Sequence, residues 1–171
     1  MRGLLIACVG NIFQGDDAFG VEVARRLSER ELPAGVDVVD FGIQGIDLMY
    51  ALLEQCDTAI LVDAIQQGSA PGTVHLIEAE MATVTDITSD GLSPRSLNPN
   101  LVLRAVTAVN GRCRRVLVVG CEPAELGDEF DGRMGLSPPV AAAVDEAVVL
   151  IEELTKALLE HPTEEQRYLV H

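Results

Sequence analysis

The chain has 171 residues, carries a formal net charge of -15 and is 48% hydrophobic but only 4% aromatic. This length suits a single domain, and without tryptophan its core has to be aliphatic. The negative charge argues against nucleic acid and anionic membranes as partners, because both would repel it. No apolar run reaches the length of a membrane span, so the composition predicts a cytoplasmic protein.

Strand and helix patterns alternate from one end of the chain to the other. Short apolar runs predict strands, and apolar residues three or four apart predict helices. Pro and Gly separate many of these segments, and Ser137-Pro138 begins the last helix, which reaches about Glu160. The predicted strands are 4–9, 36–41, 58–62, 73–78 and 115–120. The earlier predicted helices are 18–30, 46–55 and 99–109, the last with Asn98 as its N-cap.

This order predicts an α/β fold with three layers: a mostly parallel, five-stranded twisted sheet with helices on both faces. We expect one domain over residues 1–162 and a flexible tail over 163–171. The polar stretch 80–96 is the longest irregular segment, which predicts a functional loop that is mobile without substrate. Four cysteines without a C-x-x-C spacing lie in or beside apolar runs, which favours small buried side chains over a zinc site or disulfides.

Residues 10–20 contain the most informative motif, a glycine-bearing turn between the first strand and the first helix. The glycine spacing imitates a phosphate loop, but Asp16-Asp17 stands where such a loop has Lys-Ser/Thr. Two carboxylates would repel a phosphate and are better suited to a metal cation or to acid/base chemistry. The alternative is that one of them only caps the helix, where Asp is preferred.

Further carboxylates follow the next two strands. Asp40 ends the second predicted strand and Asp63 closes the third, so both should lie with Asp17 at the carboxyl edge of the sheet. The turn from Gly42 to Gly45 should reach the same edge. Each Asp has an alternative role as a turn cap. His75 lies inside a strand and is interpreted as structural, and no cysteine–histidine pair or G-x-S-x-G turn indicates another hydrolytic site.

The chain resembles the nickel–iron hydrogenase maturation endopeptidases, and matching residues span nearly its whole length. The two most specific motifs are G-N-x-x-x-x-D-D at residues 10–17 and G-L-S-P at 135–138. Further matches are Asp40-Phe41-Gly42-Ile43-Gln44-Gly45, Ile60-Leu61-Val62-Asp63-Ala64, Pro71-Gly72-Thr73, Ser96-Leu97-Asn98-Pro99 and Val119-Gly120-Cys121-Glu122-Pro123.

The resemblance implies an α/β endopeptidase that removes the C-terminal extension of a hydrogenase large-subunit precursor after nickel insertion. Nickel in the precursor is the recognition signal, so no tightly bound cofactor of the protease itself is implied. Carried over by position, Asp17 and Asp63 are the metal-contacting and catalytic residues of an aspartyl-type peptidase. A third family ligand, a His, falls at Arg95, which has no lone pair for a metal. The implied substrate-binding residues are Gly42, Gln44, Gly45 and Arg95, in a monomer.

Two alternatives remain open. Arg95 favours a non-catalytic checkpoint or chaperone that binds the precursor without cutting it. A small-molecule hydrolase unrelated to hydrogenases is the other. If residue 95 lies beside the carboxylates, Arg95→His should raise the affinity for nickel, because it removes a positive charge and supplies an imidazole nitrogen.

Overall fold

The computed structural model describes residues 3–79, 99–127 and 132–161. Within these residues five strands and four α-helices alternate in the predicted order. A short 3-10 turn, Asp16–Ala18, precedes the first helix. The strands are β1 (Leu4–Val9), β2 (Val36–Gly42), β3 (Thr58–Ala64), β4 (Val74–Glu78) and β5 (Arg115–Cys121), and the helices are α1 (Phe19–Ser28), α2 (Gly45–Glu54), α3 (Pro99–Ala108) and α4 (Pro138–Glu160).

The five strands form one sheet in the order β2-β1-β3-β5-β4. The first four strands in this order are parallel, and only β4 runs antiparallel, paired with β5. The predicted mostly parallel sheet of an α/β fold is therefore confirmed. Such a sheet is covered on both faces because each crossover helix must return across it.

Alternate residues of the central strands enter two separate hydrophobic cores. Ile6 and Cys8 of β1 pack with α1 and α4 on one face of the sheet. Leu5 and Ala7 pack with α2 and α3 on the other face. This period of two is the side-chain alternation of a strand, and it explains why β1 is apolar at nearly every position.

Several predicted boundaries differ from the structure by one or two residues, and two of these differences bear on the site. The third strand continues past residue 62, because Asp63 and Ala64 still pair with Gly120 and Cys121 of β5. Asp63 is therefore the penultimate residue of β3 rather than the residue that closes it. The first helix is preceded by a 3-10 turn, so the helical segment begins two residues before the predicted start at Ala18.

The cysteine prediction is confirmed, because all four cysteines are buried and free. Arg95, the whole loop 80–96 and the tail 163–171 lie outside the described residues, so their predictions stay predictions. Among the described residues, no helix combines the length and the apolar character that crossing a membrane requires.

Candidate functional site

The strand order creates a crevice between β1 and β3. From β1 the chain crosses to β2 on one side, and it then returns to β3 on the other side of β1. At such a switch point the two connections leave the sheet in opposite directions, which opens a cleft at the carboxyl ends of the strands. The loop that carries Asp16 and Asp17 follows β1 at this cleft, and Asp63 lies at the end of β3.

Close backbone packing holds the start of α1 against the strand ends. A Cβ atom at Gly20 would lie 2.2 Å from the carbonyl oxygen of Val9 and 2.6 Å from that of Val62. A Cβ atom at Gly10 would lie 2.1 Å from the carbonyl oxygen of Asp17. Only glycine permits these approaches, so both positions bring the turn that carries Asp17 onto the ends of β1 and β3.

Asp17 is half-buried, and its side chain is held by the loop that precedes it. The backbone N–H of Asn11 donates to Asp17 Oδ2 at 3.0 Å. Asn11 is held in turn, because its own Oδ1 accepts from the backbone N–H of Phe13 at 2.9 Å. The loop after β1 thus orients the Asp17 carboxylate toward the cleft that it lines.

Asp63 is buried, with only 5% of its surface exposed. Burial raises its pKa well above the usual range, and the nearby charge of Asp17 raises it further. The backbone N–H of Ala64 donates to Asp63 Oδ1 at 2.8 Å and opposes this shift only in part. The two carboxylates therefore form an electrostatically strained pair, in which Asp63 holds a proton more tightly than an ordinary Asp.

The pair faces a cavity of about 430 Å³. Five of the six residues predicted to form the site line it: Asp17, Asp63, Gly42, Gln44 and Gly45. The sixth, Arg95, lies outside the described residues. The other lining residues are Val9, Gly10, Asn11, Gln14, Phe41, Ile43, Leu48, Leu126 and Gly127.

Sequence reasoning did not name the side of the cavity formed by Gln14, Leu126 and Gly127. These residues meet because the backbone N–H of Gly127 donates to the carbonyl of Gln14 at 3.1 Å. The adjacent Gly15 also forms a bridge with Leu126. The signal in the sequence is the polar, Gly-rich stretch 123–137 that follows β5, but it does not show which residues reach the cleft.

Asp16 has a different role from its neighbour. It is 1% exposed and accepts four hydrogen bonds. The backbone N–H groups of Ala124 and Glu125 donate to Oδ2 at 2.8 and 3.0 Å. Ser137 donates from its backbone N–H to Oδ1 at 2.7 Å and from its hydroxyl to Oδ2 at 2.9 Å. Asp16 therefore ties the loop after β5 and the start of α4 to the turn that carries Asp17.

The helix-cap alternative for the Asp16-Asp17 pair is not what the structure shows. The N-cap positions of the 3-10 turn and of α1 are Gly15 and Ala18, and neither helix start has a side-chain cap hydrogen bond. The negative charge still lies favourably at a helical N-terminus. The carboxylates accept hydrogen bonds from the loops after β1 and β5 and from Ser137 at the start of α4.

Asp40 and His75 are set apart from the carboxylate pair. Asp40 is exposed and is not among the described residues that line the cavity. Its Oδ1 accepts from the backbone N–H of Gly42 at 2.8 Å, which is the turn-cap role weighed as its alternative. His75 is on β4, and its Nε2 lies 3.4 Å from Oε2 of the buried Glu122, away from the cavity lining.

Glu122 organises the loop after β3 rather than the cavity. The backbone N–H groups of Gln67 and Gly68 donate to its carboxylate at 2.8 and 3.2 Å. Burial raises the pKa of Glu122, but these backbone donors and His75 outweigh it, so the net pKa is lowered. His75 thus contacts a structural carboxylate, which agrees with its interpretation as a structural residue.

Within the described residues, no three His, Cys, Asp or Glu side chains lie close enough together to hold a metal ion. The described part of the site therefore offers a cation two carboxylates, Asp17 and Asp63. Two carboxylates leave most coordination positions of a transition metal to other ligands.

The sheet, the switch-point crevice and the paired carboxylates define an α/β protein whose binding cavity is acidic and lies at the carboxyl edge of the strands. A family model described as HycI, hydrogenase maturation protease, matches residues 21–154. The hydrogenase 2 maturation protease of Escherichia coli K12 is 31% identical over 163 residues, which cover 94% of this chain and 93% of that protein.

Further comparisons agree. The hydrogenase expression/formation protein HupM of Azotobacter chroococcum is 35% identical over 149 residues, covering 86% of this chain and 68% of that protein. The solved structure of the hydrogenase maturating endopeptidase HybD from Escherichia coli has a TM-score of 0.72 at 31% identity. The match covers 95% of this chain and 94% of that one. The chain belongs to the hydrogenase maturation protease family and is a peptidase.

Proposed function

We propose that this peptidase removes the C-terminal extension from the nickel-loaded precursor of a nickel–iron hydrogenase large subunit. Family membership supports a processing role, and the acidic cavity supplies a reason for dependence on nickel. The observation that carries the proposal is the pair formed by Asp17 and the buried Asp63, whose pKa is raised by burial and by the Asp17 charge.

The pair gives the cavity a preference for a cation. Without one, the charged Asp17 and a charged Asp63 repel each other in surroundings of low dielectric constant. A divalent cation between them converts this repulsion into attraction and displaces the Asp63 proton into solvent. A precursor that carries nickel therefore gains this electrostatic attraction on binding, and a nickel-free precursor does not.

In this proposal nickel arrives with the substrate, so the protease recognises the metal on the precursor and does not bind it as a cofactor of its own. Asp17 and Asp63 contact the precursor's nickel and are the catalytic carboxylates. Gly42, Gln44 and Gly45 line the wall on which the precursor backbone lies. Arg95 is assigned to substrate binding on the basis of the resemblance alone. The protein acts as a monomer in the cytoplasm.

The test is to incubate the purified chain with nickel-loaded and nickel-free precursor and to measure product masses. We expect the loaded precursor alone to lose its C-terminal extension. Binding of the loaded precursor without any change in mass would contradict the proposal and favour the checkpoint function. That function is the alternative suggested by Arg95, which stands where the family has a His ligand. Equal cleavage of both precursors would contradict the nickel-reading role of the carboxylate pair.

A second measurement follows the proton that Asp63 holds. At a pH below the raised pKa of Asp63, binding of loaded precursor should release protons, because nickel replaces the proton that Asp63 holds. Calorimetry in buffers of different ionisation enthalpy measures this release. Nickel-free precursor should release fewer protons, and equal release from the two would contradict the assigned role of Asp63.

A further inference from the structure

An exposed apolar stripe follows the rim of the cavity along α2. Ile43, Ile46 and Tyr50 are 76%, 75% and 60% exposed, and we call these three residues the α2 ridge. Ile46 and Tyr50 are four residues apart and so lie on one side of the helix. The other side of α2, with Leu48, Ala51 and Leu52, is buried in the core. The ridge is therefore not needed for packing α2 onto the sheet.

The α2 ridge is continuous with the cavity. Ile43 lines the cavity together with Gln44 and Gly45, which lead into the first turn of α2. Along the helix the ridge extends from Ile46 to Tyr50, four residues or roughly 6 Å at the rise of an α-helix. A chain that fills the cavity would thus have an apolar track beside it.

The segment of the chain that carries the α2 ridge is negatively charged. The described residues 31–79, which include α2, contain eight Asp and Glu residues and no Lys or Arg. The two charged residues of α2 itself, Asp47 and Glu54, are both exposed acids. An apolar surface in such a field favours a partner segment that carries positive charge and disfavours an acidic one.

We propose that the α2 ridge is a docking surface for a segment of the precursor in which apolar side chains are flanked by Lys or Arg. This inference rests on the proposed function for the identity of the partner. The precursor's apolar side chains would cover Ile46 and Tyr50, and its basic side chains would lie near Asp47 and Glu54. Docking here presents the neighbouring part of the precursor to the cavity.

The apolar part is tested with Ile46→Glu and Tyr50→Glu. Each places a hydrated carboxylate where apolar contact is proposed, so it disrupts that contact. We expect KM for the loaded precursor to rise about tenfold, with little change in kcat, because a contact remote from the cut bond contributes equally to ground and transition states.

The matched control is Val149→Glu. Val149 is 49% exposed on α4, which packs on the opposite face of the sheet. It should leave KM and kcat within about twofold of the parent, as expected of a surface change away from the interface. All three variants should unfold at similar temperatures. A clearly lower Tm for Ile46→Glu than for Val149→Glu would mean that this chain covers its own ridge, which overturns the proposal.

The electrostatic part is tested with the double variant Asp47→Asn/Glu54→Gln. Its KM should rise about threefold at low salt, and the increase of KM with added salt should become shallower, because two attractive charges are gone. The control double variant is Glu153→Gln/Glu160→Gln, which removes two exposed acids from α4. An equal effect of both doubles would mean that only overall charge matters and would overturn the placement on α2.

The outcomes separate this inference from the function on which it rests. If the parent protein cleaves the loaded precursor but the ridge variants behave like their controls, the docking surface is wrong and the function stands. If the parent binds the precursor without cutting it and the ridge variants weaken that binding, the surface stands and the endopeptidase function is wrong. A parent protein that neither binds nor cuts the precursor overturns both.

Discussion

Asp16 and Asp17 are consecutive in the chain, but their carboxylates lie in opposite environments. Asp16 is 1% exposed and accepts four hydrogen bonds from Ala124, Glu125 and Ser137. Asp17 is half-buried, accepts from Asn11, and lines the cavity with Asp63. A carboxylate surrounded by donors is suited to holding structure, and one that faces another carboxylate is suited to receiving a cation.

The difference teaches how a single turn can serve both stability and binding. Asp16 anchors the loop after β5 and the N-terminus of α4 beside the cavity. This leaves Asp17 directed toward Asp63, at the cost of repulsion between the two. Unfavourable electrostatics at a binding site, supported by satisfied contacts next to it, is a common arrangement in enzymes.

The largest expected effect concerns the cavity pair. Asp17→Asn and Asp63→Asn should each reduce processing of the loaded precursor by about a hundredfold or more, because the amide keeps the shape but loses the charge that attracts nickel. Both variants should remain folded. Cleavage is followed by product mass, with unfolding curves as the check on folding.

The matched control is Asp57→Asn. Asp57 precedes β3 at the opposite end of the strand, where it pairs with Arg112 at 2.8 Å. A surface pair of this kind contributes little to stability, so this variant should process the precursor normally. Normal processing by either cavity variant would show that the carboxylate it lacks is not needed for binding the substrate.

The next effect concerns Asp16, and it should appear in stability. Asp16→Asn replaces an acceptor oxygen by an NH₂ group, which then faces a backbone donor without a partner. We expect a loss of about 2–4 kcal/mol in the free energy of unfolding, measured by urea denaturation. Ser137→Ala removes only the hydroxyl donor and should lose about 1 kcal/mol. If Asp16→Asn is no more harmful than Ser137→Ala, Asp16 is not the anchor described above.

The third prediction concerns the stability of the fold at Asp63. Asp16 stabilises the fold through its hydrogen bonds, whereas ionisation of the buried Asp63 destabilises it. Its pKa is raised in the folded state, so the folded protein loses stability as pH rises from the ordinary value of 3.8 through the raised value. Asp63→Asn removes this loss. We expect it to be more stable than the parent at neutral pH, with the difference shrinking toward pH 4. A difference that is independent of pH would show that titration of Asp63 is not its source.

The smallest effect measures the coupling between the two cavity carboxylates. Asp17→Asn removes a nearby negative charge, so the pKa of Asp63 should fall. It should still lie above the ordinary value, because burial is the larger cause of the shift. Carbon-13 NMR of the Asp63 carboxyl group measures both values. An unchanged pKa would mean that Asp17 does not act on Asp63 as the structure indicates.

Much of the fold could be predicted because its signals are local. The apolar run of β1 was predicted at the bounds that the structure has, and so was α4, where Ser137-Pro138 marks the start. Five of the six predicted site residues line one cavity, since the carboxyl ends of parallel strands meet at one edge. Boundaries such as the end of β3 were less accurate, because pairing with β5 extends that strand beyond its apolar run.

The sequence by itself determined the alternation of strands and helices, and with it the edge of the sheet at which Asp17 and Asp63 lie. Only the tertiary structure decided that Asp16 and Asp17 have different roles. The donors to Asp16 are 108 to 121 residues away in the chain. No local pattern around residue 16 encodes them, because hydrogen bonds of this range form only when β5 and α4 have returned to the turn after β1.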